Sequence, residues 1–323
     1  MGFLAIDVGG TKTEIGFFER VEEIKFIQQK RYQSKNYDSL EEIIDEFIKE
    51  NDLKIEKMGI GIAGPVVEGI CHTTNLPWIV DRHKIINYFR LKDCFLVNDL
   101  VANAYGIELL NSENLIVVQK GIQKLKGNKA LISPGTGLGE AGIFFDGNNY
   151  HPFPTEGGHC DFAPTSDEEI ELLKFLKSEF SHVSYERILS GDGFVNLYNF
   201  YTKVMAFPRI LDIDNQPSKR EKAKLITELA IKDSNITCKK SLEAFLRILA
   251  AEASNLALKM YAISGIYVGG GIIPKILPSL KISSFLSSFK DKGRFQEWMN
   301  FIPIYLINDE KTALKGAALL IKK

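Results

Sequence analysis

Three glycine-containing turns and a few carboxylates have the residue types and spacing in this chain that could do chemistry. Asp7-Val8-Gly9-Gly10-Thr11-Lys12-Thr13 sits between two apolar runs, and the design of its stretch, FLAIDVGGTKTEIGFF at 3–18, returns as ALISPGTGLGEAGIFF at 130–145 around Gly135-Thr136-Gly137-Leu138-Gly139. Glycine lets a ligand approach the main chain, so exposed N–H groups can surround an anion. Neither turn is a GxxxxGK[ST] loop or a GxGxxG opening a helix, because the apolar residues that follow alternate as in a strand. A hairpin without ligand would account for either turn alone. Asp7 at the strand end adds a carboxylate beside the glycines, which suits a magnesium–nucleotide site built from a few oxygen ligands and water. The recurrence suggests two phosphate-gripping elements facing one another.

Further polar groups lie near other strand ends. Gly269-Gly270-Gly271 follows an apolar strand and precedes a helix start near Pro274, placing N–H groups where an anion or a nucleotide's sugar and base would lie. A plain helix-entry turn fits the same residues. Asn98-Asp99 closes an apolar run; Asp99 there is either a helix cap or a base aimed at one substrate hydroxyl. Glu156-Gly157-Gly158-His159 offers an acceptor and a donor across a Gly-Gly turn, a pair able to hold sugar hydroxyls. Glu186 follows Ser184 at a helix start, where a capping-region charge is the simpler account. His159-Cys160 has no second Cys/His pair nearby, so no zinc is expected.

Strands and helices must carry these groups. Strands are expected in the opening hairpin at 3–18, at 25–31, 58–62, 95–97, 265–268 and 302–307, and in the second hairpin at 130–145. Helices are expected at 40–48 with Ser39 as cap, after Asn98-Asp99, at 168–177, 185–189, 194–204, 241–261 and 312–321. The stretches 71–78, 119–129 and 212–221 read as loops. Strand and helix in alternation imply a mainly parallel sheet with ligand groups at the strand C-termini.

The chain has 323 residues with 40 Lys+Arg and 41 Asp+Glu, a net charge of −1, which speaks against a general nucleic-acid or membrane binder. Its four cysteines, Cys71, Cys94, Cys160 and Cys238, are scattered and expected to be reduced in a cytoplasmic protein. No leader and no membrane-spanning run is seen.

The order DVGGTKT, AGP, TNLPW, a strand ending ND, PGTGLG, EGGHCDFAP, SYERILSG, GGGIIPK and DKGRF resembles bacterial glucokinases of the hexokinase/actin-like ATPase superfamily. ROK-type sugar kinases share the opening and an EGGH-like block but add a cysteine-rich zinc loop, which this chain lacks. The resemblance implies an α/β, actin-like ATPase (ribonuclease H-like) fold of two domains around a ligand cleft, 1–110 plus 310–323 and 111–309. It implies ATP-dependent phosphorylation of glucose at the 6-hydroxyl, with Asp99 as base. Asn75, Asn98, Asp99, Glu156, His159 and Glu186 would bind glucose. Asp7, Gly9, Gly10, Thr11, Gly135, Thr136, Gly137 and Gly139 would face the ATP phosphates and Mg²⁺, Asp7 through water, with Gly269, Gly270 and Gly271 near the adenosine. A homodimer is implied too. The chain departs from the family's Gly-Ala-Gly-Thr at Ser133-Pro134-Gly135-Thr136 and from its Ser-Gly-Pro-Gly at Ser190-Gly191-Asp192-Gly193.

A kinase for another hexose or an N-acetylhexosamine would keep the nucleotide parts and change the sugar contacts. A sugar-sensing regulator without activity would carry a DNA-binding segment before the first hairpin, where only Met1 and Gly2 stand.

Overall fold

A computed structural model describes residues 2–73, 75–122 and 125–322. Thr74 of the loop 71–78 and residues 123 and 124 of the loop 119–129 therefore lie outside the described residues. The chain forms two compact units, one of Met1–Ser112, Pro152–Pro154 and Asp309–Lys323, the other of Glu113–His151 and Thr155–Asn308.

In the first unit the opening hairpin is β1 (Gly2–Val8) and β2 (Lys12–Phe18), followed by β3 (Gln28–Gln33). Helix α1 (Leu40–Asn51) is capped by Ser39, whose Oγ accepts the Glu42 N–H at 3.3 Å. Its apolar residues Leu40, Ile43, Ile44 and Phe47 recur at helical spacing and are buried. The helix stops at Asp52, in the left-handed region at φ 48°. Next come β4 (Ile55–Ile62), the short β5 (Val66–Val67), β6 (Ile70–His72) and β7 (Ile79–Asp81), α2 (Arg82–Phe89), β8 (Asp93–Asn98) and α3 (Asp99–Gly106).

The main sheet runs β3-β2-β1-β4-β8, while β5-β6-β7 form a small separate sheet. The C-terminal helix, Thr312–Leu320, lies against α3, β1 and β4. That approach is close enough that a Cβ on Gly59 or Gly316 would strike the carbonyl of Ala317 or Ala102.

The second unit contains β9 (Leu115–Gln119), β10 (Lys129–Pro134) and β11 (Leu138–Phe145), and its sheet is continued by β12 (Tyr150–Thr155), of which Pro152–Pro154 group with the first unit. Helices α4 (Asp167–Glu179), α5 (Gly191–Lys203), α6 (Leu211–Asp214), α7 (Lys219–Ile231) and α8 (Ile236–Met260) follow. Then come β13 (Ile266–Val268), α9 (Ile273–Ile276), α10 (Ile282–Lys290), α11 (Gln296–Met299) and β14 (Ile304–Ile307); the C-terminal helix is α12. The sheet order is β12-β11-β10-β13-β14-β9. Helices α5, α7, α8 and α10 pack together over a core in which Phe194 and Phe245 stack with ring centroids 4.2 Å apart.

The hairpin echo at 3–18 and 130–145 thus marks a repeat of architecture. In each unit an antiparallel hairpin continues through its first strand into two parallel neighbours, β4 and β8 in one, β13 and β14 in the other. The expected mainly parallel sheet is corrected accordingly: both sheets are mixed, because β1–β2, β2–β3, β10–β11 and β14–β9 are antiparallel.

Other boundaries also move. The third strand starts at Gln28 rather than Lys25, since pairing to β2 sets Phe17 opposite Gln28 and Lys12 opposite Gln33. The expected loop 212–221 contains the end of α6 and the start of α7. Ser218 caps α7, accepting from the Glu221 N–H and donating to the Glu221 carboxylate at 2.7 Å, a Ser-x-x-Glu start signal that was readable in the sequence. The expected helix 185–189 is only a 3-10 turn, Tyr185–Arg187, and Ser184 gives it no side-chain cap. The long helix expected from 241 begins at Ile236, capped by Asn235.

Candidate functional site

In the first unit the parallel strands end level with one another. Val8 pairs with Ile62 and Ile62 with Asn98, so the turn after β1, the Ala63-Gly64 turn after β4 and the Asn98-Asp99 junction after β8 share one sheet edge. The Gly9–Thr11 turn is tight, its Gly9 N–H reaching the Lys12 carbonyl at 2.9 Å. Ser34 braces it from the end of β3: Oγ donates to the Gly9 carbonyl at 3.0 Å and meets Thr13 Oγ1 at 3.0 Å, while the Ser34 N–H donates to the Thr11 carbonyl. Asn75 lies against this turn, close enough that a Cβ on Gly10 would be 2.6 Å from that of Asn75.

Asp99 is the first residue of α3, and Asn98 is the cap, its Oδ1 accepting the Leu100 N–H at 2.9 Å while its Nδ2 donates to the Gly64 carbonyl at 3.1 Å. The capping role weighed for Asp99 therefore falls chiefly to its neighbour, although Asp99 Oδ1 also accepts the Leu100 N–H. The first turn of α3 favours a negative charge at Asp99. Asn98, expected to hold a sugar hydroxyl, spends one N–H and one lone pair of its amide in these two bonds, and the amide has a second of each.

Asp7 points into a crowded field of like charge. Its pKa is raised to about 7, first by burial, then by Asp99 and Glu14, with Lys12 and Arg31 pulling the other way. Sheet pairing sets Asp7 opposite Glu14 and Glu14 opposite Arg31, whose Nη2 donates to Glu14 Oε2 at 3.0 Å. Glu14, Arg31 and Ser34 were not singled out from the sequence, since only strand pairing brings them to the turn.

In the second unit the Gly135–Gly137 turn closes one residue tighter, Gly135 N–H to Gly137 carbonyl at 2.8 Å. Gly135 and Gly271 have open space where a Cβ would stand, so both leave room for a ligand beside the main chain. Val268 pairs with Ile132, and the Gly269 N–H donates to the Ile132 carbonyl at 2.9 Å, which brings the triple-glycine turn beside the hairpin turn. Gly270 has φ +86° and packs on the Pro134 carbonyl, a position no other residue suits. The expected helix after it, α9, has a single turn, so N–H groups rather than a helix dipole would serve an anion here. Of the two departures, Pro134 ends β10, and Asp192 is exposed and ion-paired with Lys219 at 3.4 Å. The residue before Asp192 keeps the turn in place, the Gly191 N–H donating to the Gly135 carbonyl at 2.9 Å.

Glu156 precedes and His159 ends a 3-10 turn, Gly157–His159, and both residues are exposed. Backbone bonds from Tyr185 N–H to the Cys160 carbonyl and from Phe162 N–H to the Val183 carbonyl tie this segment to the one carrying Glu186. Glu186 in turn accepts the Leu138 N–H at 3.0 Å and lies beside Gly137. Three sequence-distant pieces thus meet at one end of the second unit. Gly158 makes the meeting possible, for its Cα lies on the Leu138 carbonyl. Gly158→Ala is expected to destabilise the protein by about 1–3 kcal/mol, since a methyl there overlaps main chain; thermal unfolding that matches the parent would contradict this packing. Among the described residues no group of three His, Cys, Asp or Glu could hold a metal, and no helix is long and apolar enough to cross a membrane.

Comparison with known proteins gives this geometry a family. The glucokinase family model matches residues 4–323. The chain belongs to the glucokinase family. A glucokinase of Nostoc sp. is 36% identical over 333 residues, covering 98% of this chain and 97% of the relative. One from Escherichia fergusonii is 36% identical over 315 residues, covering 96% and 94%. The solved structure of a glucokinase from an Antarctic psychrotroph superimposes with a TM-score of 0.85 at 27% identity, covering 99% of this chain and 98% of that one. The fold is the actin-like ATPase fold of sugar kinases, and the family's reaction is ATP-dependent phosphorylation of glucose to glucose 6-phosphate.

Proposed function

We propose that Asp99 takes the proton of the glucose 6-hydroxyl while that oxygen attacks the γ-phosphorus of ATP and ADP departs. The observation that carries this is the placement of Asp99 at the end of β8, on the same sheet edge as the Gly9–Thr11 turn, with its neighbour Asn98 forming the principal cap. A carboxylate in the first turn of a helix is held charged and oriented, as a base must be.

Asn75, Asn98, Glu156, His159 and Glu186 would hold the remaining hydroxyls. For Glu186 the bond to the Leu138 N–H occupies one carboxylate oxygen and leaves the other for sugar. Gly9, Gly10 and Thr11 in one unit and Gly135, Thr136, Gly137 and Gly139 in the other would contact the phosphates through main-chain N–H groups. Gly269, Gly270 and Gly271 would lie along the adenosine.

The donor set around Asp7 fits Mg²⁺, which takes one or two carboxylates plus phosphate oxygens and water rather than a full protein cage. When bound, the ion neutralises charge developing on the transferred phosphoryl group. The excess of carboxylates that raises the Asp7 pKa is relieved by a cation, so deprotonated Asp7 and bound cation favour each other. A homodimer and a cytoplasmic location belong to the same reading, from the family resemblance.

Initial rates with glucose, mannose, fructose and N-acetylglucosamine test the substrate. Glucose is expected to give the highest kcat/KM; a clear preference for another of these sugars would sink the assignment.

A further inference from the structure

Two buried carboxyl groups lie beneath the 156–159 turn and take no part in the roles above. Glu140 on β11 is 1% exposed and Glu252 on α8 is 0% exposed. Glu140 supports the turn twice. Its carbonyl accepts Thr155 Oγ1 at 3.0 Å, and that hydroxyl accepts the Gly157 N–H at 3.3 Å. Its side-chain Oε2 lies so close to Gly157 that a Cβ there would collide. The other oxygen, Oε1, has no hydrogen-bond partner among the described residues.

Glu252 lies near enough to act on the charge of Glu140 and accepts Lys259 Nζ at 3.0 Å and Asn255 Nδ2 at 2.8 Å. Asn255 also donates to the hydroxyl of Tyr185, the residue before Glu186. The charged or titratable groups facing the pair are Lys259 from α8, Tyr185 from the 3-10 turn, Lys292 across from Glu252, and Cys160 near Lys259.

Two buried carboxylates with one close ammonium leave an uncompensated negative charge, whereas one shared proton makes the group neutral and gives Glu140 a donor or an acceptor for its unpartnered oxygen. We propose that Glu140 and Glu252 share one proton under the Glu156–His159 turn, and that this neutral pair is a positioning device holding the turn in the form that binds glucose. The proposal rests on the reading that this turn contacts the sugar.

Burial first, then the charge of Glu252, raises the Glu140 pKa to about 8, with Lys259 opposing. The proton is therefore held at neutral pH and lost as pH rises through that value. Above it, repulsion between the carboxylates pushes on Gly157, and glucose binding weakens.

The test is steady-state kinetics of the full chain from pH 7 to 9, varying glucose and ATP separately. In the parent the glucose KM is expected to rise about tenfold by pH 9, following the one unit above the pKa, with the ATP KM flat. Glu140→Gln, neutral at every pH and still able to donate to Glu252, is expected to remove that rise. Glu140→Ala, which empties the contact, is expected to raise the glucose KM at all pH values.

A parent KM that stays flat to pH 9, or a Glu140→Gln variant that keeps the parental rise, overturns the proposal. Should Glu140→Ala fail to fold, the parent and Glu140→Gln profiles still decide it. Glu156→Gln and His159→Gln separate the two readings. If neither changes the glucose KM, the sugar-turn reading fails. If they raise it while Glu140→Gln behaves as the parent, only the shared proton fails.

Discussion

Asp99→Asn is expected to leave glucose bound with little change in dissociation constant and to turn over at least ~10²-fold more slowly, the usual scale for loss of a general base. Asparagine keeps the size of the side chain, its place in the first turn of α3 and an oxygen able to accept the Leu100 N–H, so α3 and its Asn98 cap should survive. What it removes is the site that takes the proton. In phosphoryl transfer the protein contributes mainly orientation and charge neutralisation, so a residual rate from positioning should remain. Equilibrium binding of glucose and single-turnover kinetics separate the two effects; a variant with near-parental kcat would dismiss Asp99 as the base. The fall should appear equally in kcat and kcat/KM, because the base acts on bound substrate.

Asp7→Asn is expected to abolish most of the activity and yet to make the ligand-free protein more stable. Burial, Asp99 and Glu14 raise the Asp7 pKa from 3.8 to about 7, so the folded protein holds a proton there that the unfolded chain does not. A raised pKa means stability that is full below about pH 4 and lost as pH climbs towards 7. Asparagine carries no such penalty. Three units would be worth ~4 kcal/mol at ~1.4 each, but Asp7 is partly exposed, and a discounted figure of about 1–2 kcal/mol is the better expectation.

Thermal unfolding with chelator present should therefore give a midpoint higher by roughly 2–8 °C at pH 7.5, and no difference near pH 4. Equal stability at both pH values would refute the charge-crowding account. The activity should fall by roughly 10² or more, as for loss of a group that neutralises transferred phosphoryl charge through a cation. Such a trade of stability for function is common where a site gathers like charges.

Much of this protein could be read without coordinates. The echo of 3–18 in 130–145 marked the two hairpins with their glycine turns, since alternation and a glycine turn are local properties that the chain writes residue by residue. The face of α1 and its Ser39 cap are equally local, as is the strand ending at Asn98-Asp99. The Ser-x-x-Glu signal at Ser218 and Glu221 was legible too, but polar composition around it masked a helix start. The antiparallel pairing beyond the two hairpins, β2–β3 and β14–β9, was not legible, because a strand's sequence says little about which distant neighbour it pairs with or in which direction.

Only the tertiary structure decided how the site is supported. Ser34 braces the first turn because β3 returns beside it, Glu186 reaches the Leu138 N–H because residues 160–162 run alongside 183–185, and Glu140 meets Glu252 because α8 packs against β10, the strand paired with β11. The reason is common to all three. A motif sets the residues that face a ligand through local backbone geometry, whereas the groups behind them are chosen by packing between segments far apart in the chain. Their protonation is fixed by burial, which no local pattern records.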